Sequence, residues 1–315
     1  MSHAEQHDST LTLSDGALLA YTLHTVRPEP DTTTALKPDT TTRPALKPDA
    51  TTTIAPEPEM TATQRAGRPR LVLIHSLALD RSVWDGVVER LRTEADVLVY
   101  DCRGHGQSDR RAGRFTAELF ANDLAELLDR IGWPNATIAG CSMGGCVALA
   151  FAGLYTARAD ALGLIDTTAW YGPDAAVKFR ERADAARGKG MAALFDFQAT
   201  RWFSDEFRAG HPEALKRTLA VFVAADVDCY AAACALLGDV DERAHLPAFR
   251  MPAAIVVGEE DYATPVEMAR QLHGAIPHST LTVLPRARHL TPIEHPDAIA
   301  SELRTLMGRA LDHRA

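Results

Sequence analysis

A sharp strand-to-helix turn that presents a serine is the feature that most constrains this chain. The apolar run 136–139 predicts a buried strand, residues 143–154 predict a helix, and the segment 140–144, Gly-Cys-Ser-Met-Gly, joins them. Side chains two positions before and after the central residue would collide in so tight a turn, so glycine occupies both places. The turn lifts the Ser142 hydroxyl to the end of the sheet, at a helix N-terminus that favours developing negative charge. Ser142 is therefore the predicted nucleophile, and Cys141 is interpreted as a small packed residue.

Strands and helices alternate through most of the chain. A hairpin is predicted around Asp15-Gly16, between strands 11–14 and 17–25. Short apolar runs predict buried strands at 70–75, 96–100, 136–139, 161–165, 253–257 and 281–284. Amphipathic or small-residue patterns predict helices at 115–133, 143–154 and 296–307. This alternation indicates an α/β fold, a parallel sheet covered by helices on both faces.

Two segments interrupt this alternation and define the predicted domain organisation. Residues 169–250 have helical spacing without a convincing strand, and they are predicted to form a helical cap over the sheet edge. Residues 27–69 contain eight of the chain's 18 prolines, repeated Pro-Asp-Thr units and no aromatic residue. Such a composition predicts a disordered insertion, either a tolerated surface loop or a tether that docks a partner. Residues 1–26, 70–168 and 251–315 then form the core domain.

Composition excludes several classes of function. The net charge is −9, which disfavours nucleic acid and anionic membrane surfaces as partners. The chain shows neither a secretory leader pattern nor an apolar run long enough to span a membrane. The five cysteines are odd in number and lack zinc-type spacing, so they predict reduced thiols in a cytoplasmic protein and no metal site.

A serine hydroxyl is a weak nucleophile at neutral pH, so Ser142 needs a base that is oriented by an acid. His289 is the predicted base because it follows the last predicted strand of the sheet after a short turn. Two carboxylates, Asp261 and Asp166, stand at the carboxyl ends of earlier strands, where the residues of a site collect. Asp261 is the favoured acid because it gives the chain order serine, aspartate, histidine. Asp166 is the alternative acid.

Cleavage of an ester also requires hydrogen-bond donors for the negatively charged oxygen of the tetrahedral intermediate. The backbone N–H of Met143, directly after the nucleophile, is one predicted donor. The backbone N–H of Leu77, in the loop that follows strand 70–75, is the other. A third polar cluster, the segment 101–109, contains Asp, Arg, His and Ser but is interpreted as a rigid turn held by hydrogen bonds and glycines.

These motifs together resemble the α/β-hydrolase family and, within it, the 3-oxoadipate enol-lactonases. The motifs that carry the resemblance are His75-Ser76-Leu77, Val83-Trp84-Asp85, the 101–109 turn, Gly140-Cys141-Ser142-Met143-Gly144-Gly145, Gly190-Met191, Arg201-Trp202-Phe203, Glu260-Asp261-Tyr262-Ala263-Thr264-Pro265 and Arg288-His289-Leu290. The resemblance implies the α/β-hydrolase fold, a mostly parallel eight-stranded sheet flanked by helices with a helical cap. It also implies a small-molecule ester or lactone substrate and hydrolysis without a cofactor. Ser142 would attack the lactone carbonyl, His289 would relay the proton, and water would release 3-oxoadipate.

The resemblance leaves the substrate open. The same three residues serve carboxylesterases, C–C bond hydrolases of ring-cleavage products, acyltransferases and haloperoxidases, and the fold also serves non-enzymatic ligand receptors. The enol-lactone carries a carboxylate, which needs a cation when it leaves water. Arg201 is the predicted cation because its guanidinium stands beside Trp202. The alternative role for Arg201 is a solvated helix arginine whose stem covers aromatic surface, and Trp202 is itself a substrate-binding candidate. Trp170, just after a strand, is the other pocket candidate, and core packing is its alternative role.

Overall fold

The central element of the molecule is one sheet of eight strands. The computed structural model describes residues 4–26 and 68–314, so the predicted insertion lies outside the described residues except for positions 68 and 69. The strands are β1 (Ala4–Thr12), β2 (Leu18–Val26), β3 (Arg70–Ile74), β4 (Asp96–Tyr100), β5 (Ala136–Cys141), β6 (Ala159–Ile165), β7 (Ala253–Gly258) and β8 (Ser279–Leu284). Their order across the sheet is β1-β2-β4-β3-β5-β6-β7-β8, and of the described strands only β2 runs against the others. The predicted mostly parallel eight-stranded sheet is confirmed.

The apolar runs of the sequence form the inner strands. Every residue of β4, β5 and β7 is buried, because helices cover both faces of these strands. The edge strand β8 is only partly buried. The hairpin forms where Asp15-Gly16 predicts it, and Gly16 adopts a φ of 83°. β1 is longer than predicted because its mostly polar residues pair with β2 along the whole of its length.

Eleven α-helices lie within the described residues. They are α1 (Asp85–Leu91), α2 (Ala117–Arg130), α3 (Met143–Leu154), α4 (Ala175–Lys189), α5 (Phe195–Trp202), α6 (Asp205–Gly210), α7 (Pro212–Val223), α8 (Val227–Asp239), α9 (Val266–Ala275), α10 (Thr291–Glu294) and α11 (Pro296–Arg314). Helix α2 starts where predicted, since the Thr116 side chain accepts a hydrogen bond from the N–H of Leu119 at 3.0 Å. Helix α11 extends seven residues beyond the predicted end at Met307.

Helices α4 to α8 fall between β6 and β7, in the segment 169–250 that we call the cap. Within residues 4–26 and 68–314, no single helix is long and apolar enough to cross a membrane. The cap helices α7 and α8 together reach that length and composition, but a bend of 95° separates them.

The parallel strands bring the predicted site residues to one edge of the sheet. Ser142, Asp166, Asp261 and His289 follow β5, β6, β7 and β8. The carboxyl ends of neighbouring parallel strands meet at the same edge, so the four residues approach one another although up to 147 positions separate them. The end of β2 and the start of β3 both lie near the start of β4, at the opposite edge of the sheet.

Candidate active site

The backbone at Ser142 is strained in the way that the sequence predicts. Ser142 has a φ of 55° and a ψ of −116°, a region that residues other than glycine rarely adopt. A Cβ atom on Gly140 would overlap the backbone of Gly144, and a Cβ atom on Gly144 would overlap the carbonyl oxygen of Ile74. Both glycines are therefore required for the turn between β5 and α3. The side chain of Ser142 stands at the N-terminus of α3.

A continuous chain of hydrogen bonds links three of the predicted site residues. Nε2 of His289 lies 2.9 Å from Oγ of Ser142, and Nδ1 of His289 lies 2.8 Å from Oδ2 of Asp261. All three residues are at most 5% exposed. A carboxylate only accepts, so Nδ1 of His289 carries the proton, and the lone pair of Nε2 faces the serine hydroxyl. The arrangement can take a proton from Ser142 and stabilise the imidazolium that results.

The surroundings of Asp261 keep its carboxyl group ionised. Its two oxygens accept hydrogen bonds from the N–H groups of Ala263 and Thr264, at 2.7 and 2.9 Å, and from Oγ1 of Thr264 at 2.8 Å. Burial alone would raise the pKa of Asp261, but His289 and the donors from Thr264 outweigh it and lower that pKa. The buried carboxylate of Asp261 is thus a charged partner for the imidazolium of His289.

The alternative acid, Asp166, lies outside this chain of hydrogen bonds. Oδ1 of Asp166 accepts from the N–H of Gly258 at 3.2 Å, and Oδ2 accepts from the N–H and Oγ1 of Thr291 at 3.0 and 2.7 Å. Burial, reinforced by the charge of Asp261, raises the pKa of Asp166 well above its usual value. Asp166 therefore connects the end of β7 to the start of α10, while Asp261 contacts His289.

Within the described residues, the N–H groups of Leu77 and Met143, the two predicted donors, are free to bind an anionic oxygen. Among residues 4–26 and 68–314, no group accepts a hydrogen bond from the N–H of Leu77 or of Met143. The loop that carries Leu77 is fixed by His75, which is fully buried. Nδ1 of His75 donates to the carbonyl of Ser76 at 2.8 Å, and Nε2 accepts from the N–H of Cys102 at 2.9 Å. Burial lowers the pKa of His75, so the ring stays neutral in this role.

The 101–109 turn is a hydrogen-bonded turn, as interpreted from the sequence. Oδ1 of Asp101 accepts from the N–H of Arg81 at 2.8 Å, and Oδ2 accepts from the N–H of Gln107 at 2.9 Å. The Ser108 hydroxyl donates to the Asp101 carbonyl at 2.6 Å. Asp101, Gln107 and Ser108 are therefore engaged with one another or with Arg81.

The three predicted substrate residues occupy different environments. Arg201 is half-buried; it lies 5.5 Å above the ring of Phe197 and donates to the carbonyl of Tyr262, the residue after Asp261. Trp202 is 3% exposed, and its ring packs against the cap residues Phe195 and Phe222. The structure thus places Arg201 beside the acid loop, and it places Trp202 in the apolar interior of the cap.

Trp170, the other pocket candidate, contacts a cation and a strand partner at the end of the cap. The Trp170 ring lies 3.8 Å from the guanidinium of Arg243, and Trp170 pairs with Asp241 as an isolated β-bridge. Its neighbour Tyr171 packs edge-on against Phe179 of α4, with the ring centres 5.1 Å apart. The local sequence pattern could not predict the bridge, because its partner Asp241 comes 71 residues further along.

The loop of His289 is also tied to the cap by Arg288 and by Glu294, which the sequence analysis did not single out. Oε1 and Oε2 of Glu294 accept from the N–H groups of Ser204 and Arg288, each at 3.0 Å. The guanidinium of Arg288 donates to the carbonyls of Thr200 and Phe203 at 2.8 and 3.0 Å. These bonds fix the position of the residue next to His289.

Known proteins share both the sequence pattern and the fold. The sequence profile of the family described as alpha/beta hydrolase fold matches residues 69–296. The 3-oxoadipate enol-lactonase 2 of Acinetobacter baylyi is 30% identical over 245 residues, which are 78% of this chain and 91% of that protein. A pimeloyl-[acyl-carrier protein] methyl ester esterase of Aliivibrio salmonicida is 27% identical over 248 residues, 74% of this chain and 90% of that protein.

Solved structures agree with these sequence relatives. The enol-lactonase from Burkholderia xenovorans superposes with a TM-score of 0.78 at 28% identity, covering 95% of this chain and all of that one. A thermophilic esterase from Thermogutta terrifontis, solved with malate bound, gives a TM-score of 0.77 at 27% identity and covers 98% of this chain and 99% of that one. With the profile match over most of its length, the chain belongs to the α/β-hydrolase family, and 3-oxoadipate enol-lactonases are among its relatives.

Proposed function

We propose that this chain is a serine hydrolase that cleaves a lactone or carboxylic ester through an acyl-enzyme, with 3-oxoadipate enol-lactone as its substrate and 3-oxoadipate as the product. The observation that carries the hydrolase proposal is the hydrogen-bonded chain from Ser142 through His289 to Asp261 on a strained turn. A ligand receptor on this fold has no need of a strained serine in contact with a base.

The proposed reaction begins with the transfer of the Ser142 proton to Nε2 of His289 as Oγ bonds to the carbonyl carbon. The N–H groups of Leu77 and Met143 bind the negative charge that develops on the carbonyl oxygen. The C–O bond to the leaving oxygen then breaks, and His289 returns the proton to that oxygen. Water, deprotonated by His289, attacks the acyl-enzyme and releases the acid and the Ser142 hydroxyl.

Asp261 acts through His289 in this scheme. Its carboxylate holds the imidazole in the tautomer that leaves Nε2 unprotonated, and its negative charge stabilises the imidazolium. The donors from Ala263 and Thr264 keep the carboxylate fixed in one orientation.

The lactone part of the proposal is supported by the relatives and by two arginines of the cap. Arg182 donates to the Tyr230 hydroxyl at 2.6 Å and lies 5.8 Å from the centre of that ring, whereas Arg201 contacts Phe197 and the carbonyl of Tyr262. Within the described part of the chain, neither guanidinium forms an ion pair with a carboxylate. Two other cations of the cap do form ion pairs: Lys178 pairs with Asp174, and Arg187 pairs with Asp228.

The two unpaired arginines influence each other. Burial lowers the pKa of Arg201, and the charge of Arg182 lowers it further, while Asp261 opposes both effects. Two like charges that have no carboxylate partner among the described residues, one of them beside the acid loop, favour an anionic ligand that lies between them. The carboxylate of the enol-lactone is such a ligand, and the malate in the Thermogutta esterase is an anion of the same chemical class.

A matched pair of lactones tests the substrate. 3-Oxoadipate enol-lactone carries a carboxylate, and α-angelica lactone is an enol-lactone with the same ring and no charge. Arg201→Ala is expected to raise KM for the charged lactone about tenfold to a hundredfold and KM for the neutral lactone less than about threefold. Steady-state hydrolysis of both lactones is followed by the absorbance of the enol. It gives, for each lactone, the ratio of KM in Arg201→Ala to KM in the wild type.

Arg187→Ala is the matched control, because Arg187 is a cap arginine that pairs with Asp228 on the surface. It is expected to leave both KM values unchanged. Equal effects of Arg201→Ala on the two lactones would reduce Arg201 to a packing residue and would favour a general carboxylesterase over an enol-lactonase.

A further inference from the structure

The side chain of Arg288 joins three parts of the molecule that meet at the proposed acid and base. Arg288 directly precedes His289, and its side chain is only 11% exposed. Nη1 of its guanidinium donates to the carbonyls of Thr200 and Phe203, at the end of cap helix α5, at 2.8 and 3.0 Å. Nε donates to Oε2 of Glu260 at 3.3 Å. One buried guanidinium therefore connects the cap, the loop of the base and the loop of the acid.

The same guanidinium contacts both neighbours of Asp261. Glu260 precedes Asp261 and accepts the bond from Nε, while Tyr262 follows Asp261 and has its ring centre 5.3 Å from the guanidinium carbon. The carbonyl of Tyr262 also accepts from Arg201 of α5. The acid thus lies between two residues that Arg288 contacts, and one of these is bonded to the cap a second time.

The backbones of the two loops are in direct contact. The N–H of Glu260 donates to the carbonyl of Ala287 at 2.9 Å. A Cβ atom on Gly258, just before the acid loop, would overlap the carbonyl oxygen of Arg288. Because the packing is so close, a shift of one loop is transmitted to the other.

The alternative role of Arg288 is to stabilise the cap alone. Its ion pair with Asp205 of α6, at 3.0 Å, is of that kind and contributes little, since the Asp205 side chain is 77% exposed. The bond to Glu260 and the contact with Tyr262 instead reach the acid loop. A side chain that served only the cap would make neither of these contacts.

We propose that Arg288 is a positioning residue, which holds Asp261 and His289 at hydrogen-bonding distance through the residues next to them. The distance at stake is the 2.8 Å between Oδ2 of Asp261 and Nδ1 of His289. The inference rests on the proposed serine mechanism, in which a misplaced acid no longer holds the imidazole in the correct tautomer and orientation. Loss of Arg288 therefore lowers kcat, and it changes the binding of a neutral ester little.

Hydrolysis of 4-nitrophenyl acetate, an ester without a charge, tests the inference. Arg288→Lys keeps the charge but lacks the fork that bonds the cap and the acid loop together. Its kcat is expected to fall about tenfold to a hundredfold, with KM within about threefold of the wild type. Glu260→Ala removes only the bond to the acid loop, and its kcat is expected to fall about threefold to tenfold. Glu260→Gln, whose amide oxygen still accepts from Nε, is expected to recover most of that loss.

A proton NMR spectrum separates positioning from stability. The Nδ1 proton of His289 is bonded to a carboxylate and resonates far downfield, and its loss in Asp261→Asn identifies the signal. At a temperature well below the melting of each variant, the signal is expected to move upfield and broaden in Arg288→Lys and in Glu260→Ala. A side chain that stabilised only the cap would leave this signal of the folded protein unchanged.

Arg286→Ala is the matched control, because Arg286 lies in the same loop and pairs with Glu206 of the cap at 3.4 Å on the surface. It should leave kcat within about twofold and the downfield signal in place. Wild-type kcat in folded Arg288→Lys or Glu260→Ala would overturn the role assigned to Arg288, and so would a lowered kcat with an unchanged Nδ1 signal. These results would not touch the proposed function, whereas a wild type that hydrolyses neither the ester nor either lactone would overturn both.

Discussion

At the scale of single residues, two buried carboxylates at the same edge of the sheet have separate roles. Asp261 contacts His289 and stays ionised, while Asp166 accepts three hydrogen bonds from Gly258 and Thr291 and does not contact the imidazole. Burial and the charge of Asp261 raise the pKa of Asp166, whereas His289 and Thr264 outweigh burial and lower the pKa of Asp261. The nearby backbone is strained at both Ser142 and Asp166, whose φ values are 55° and 47°.

The two carboxylates can be separated by the same substitution at each position. Asp261→Asn is expected to lower kcat about a thousandfold or more, because an amide holds the wrong imidazole tautomer and leaves the imidazolium without a charged partner. Asp166→Asn is expected to lower kcat less than about tenfold, since an amide oxygen still accepts from Thr291 and asparagine tolerates a positive φ. Measuring kcat of both folded variants on the same ester shows which carboxylate acts as the acid. A greater loss in Asp166→Asn would show that Asp166 is the acid.

At the scale of elements, the cap and the His289 loop behave as one unit. Glu294 of α10 bonds to Ser204 at the start of α6 and to Arg288, and Arg288 bonds to the carbonyls at the end of α5. The N–H of Leu290 also donates to the carbonyl of Trp202 at 3.0 Å. The cap thus fixes both sides of His289, so the position of the base depends on the folding of a segment far from it in sequence.

Glu294→Ala tests this connection. The change leaves two N–H groups without their acceptors in a buried place, so the free energy of unfolding is expected to fall by about 2–4 kcal/mol. Glu89→Ala is the control, because Glu89 pairs with Arg92 on the surface at 2.8 Å with 65% of its side chain exposed. Its loss should be below about 0.5 kcal/mol. Urea unfolding gives both values, and equal losses would mean that Glu294 contributes no more than a surface carboxylate.

At the scale of the whole molecule, the sequence predicts well what depends on local pattern. Continuous apolar runs locate the inner strands, and the residues after those strands locate Ser142, Asp261 and His289, because a parallel sheet brings its carboxyl ends together. The local sequence pattern could not predict features that depend on residues far apart in the chain. The full length of β1 follows from pairing with β2, and the contacts of Trp170 follow from the bridge to Asp241. The unpaired state of Arg182 and Arg201 likewise depends on how five cap helices pack.

Covalent labelling shows whether Ser142 carries the acyl group. Wild type, Ser142→Ala and Cys141→Ala would each be treated with a fluorophosphonate, and the modified peptide would be identified by mass spectrometry while ester hydrolysis is followed. We expect one phosphonyl group on Ser142 in wild type and Cys141→Ala, with hydrolysis lost in proportion to labelling. We expect no label in Ser142→Ala and hydrolysis at least about a thousandfold below wild type. Wild-type turnover by a folded Ser142→Ala protein would show that Ser142 is not the nucleophile.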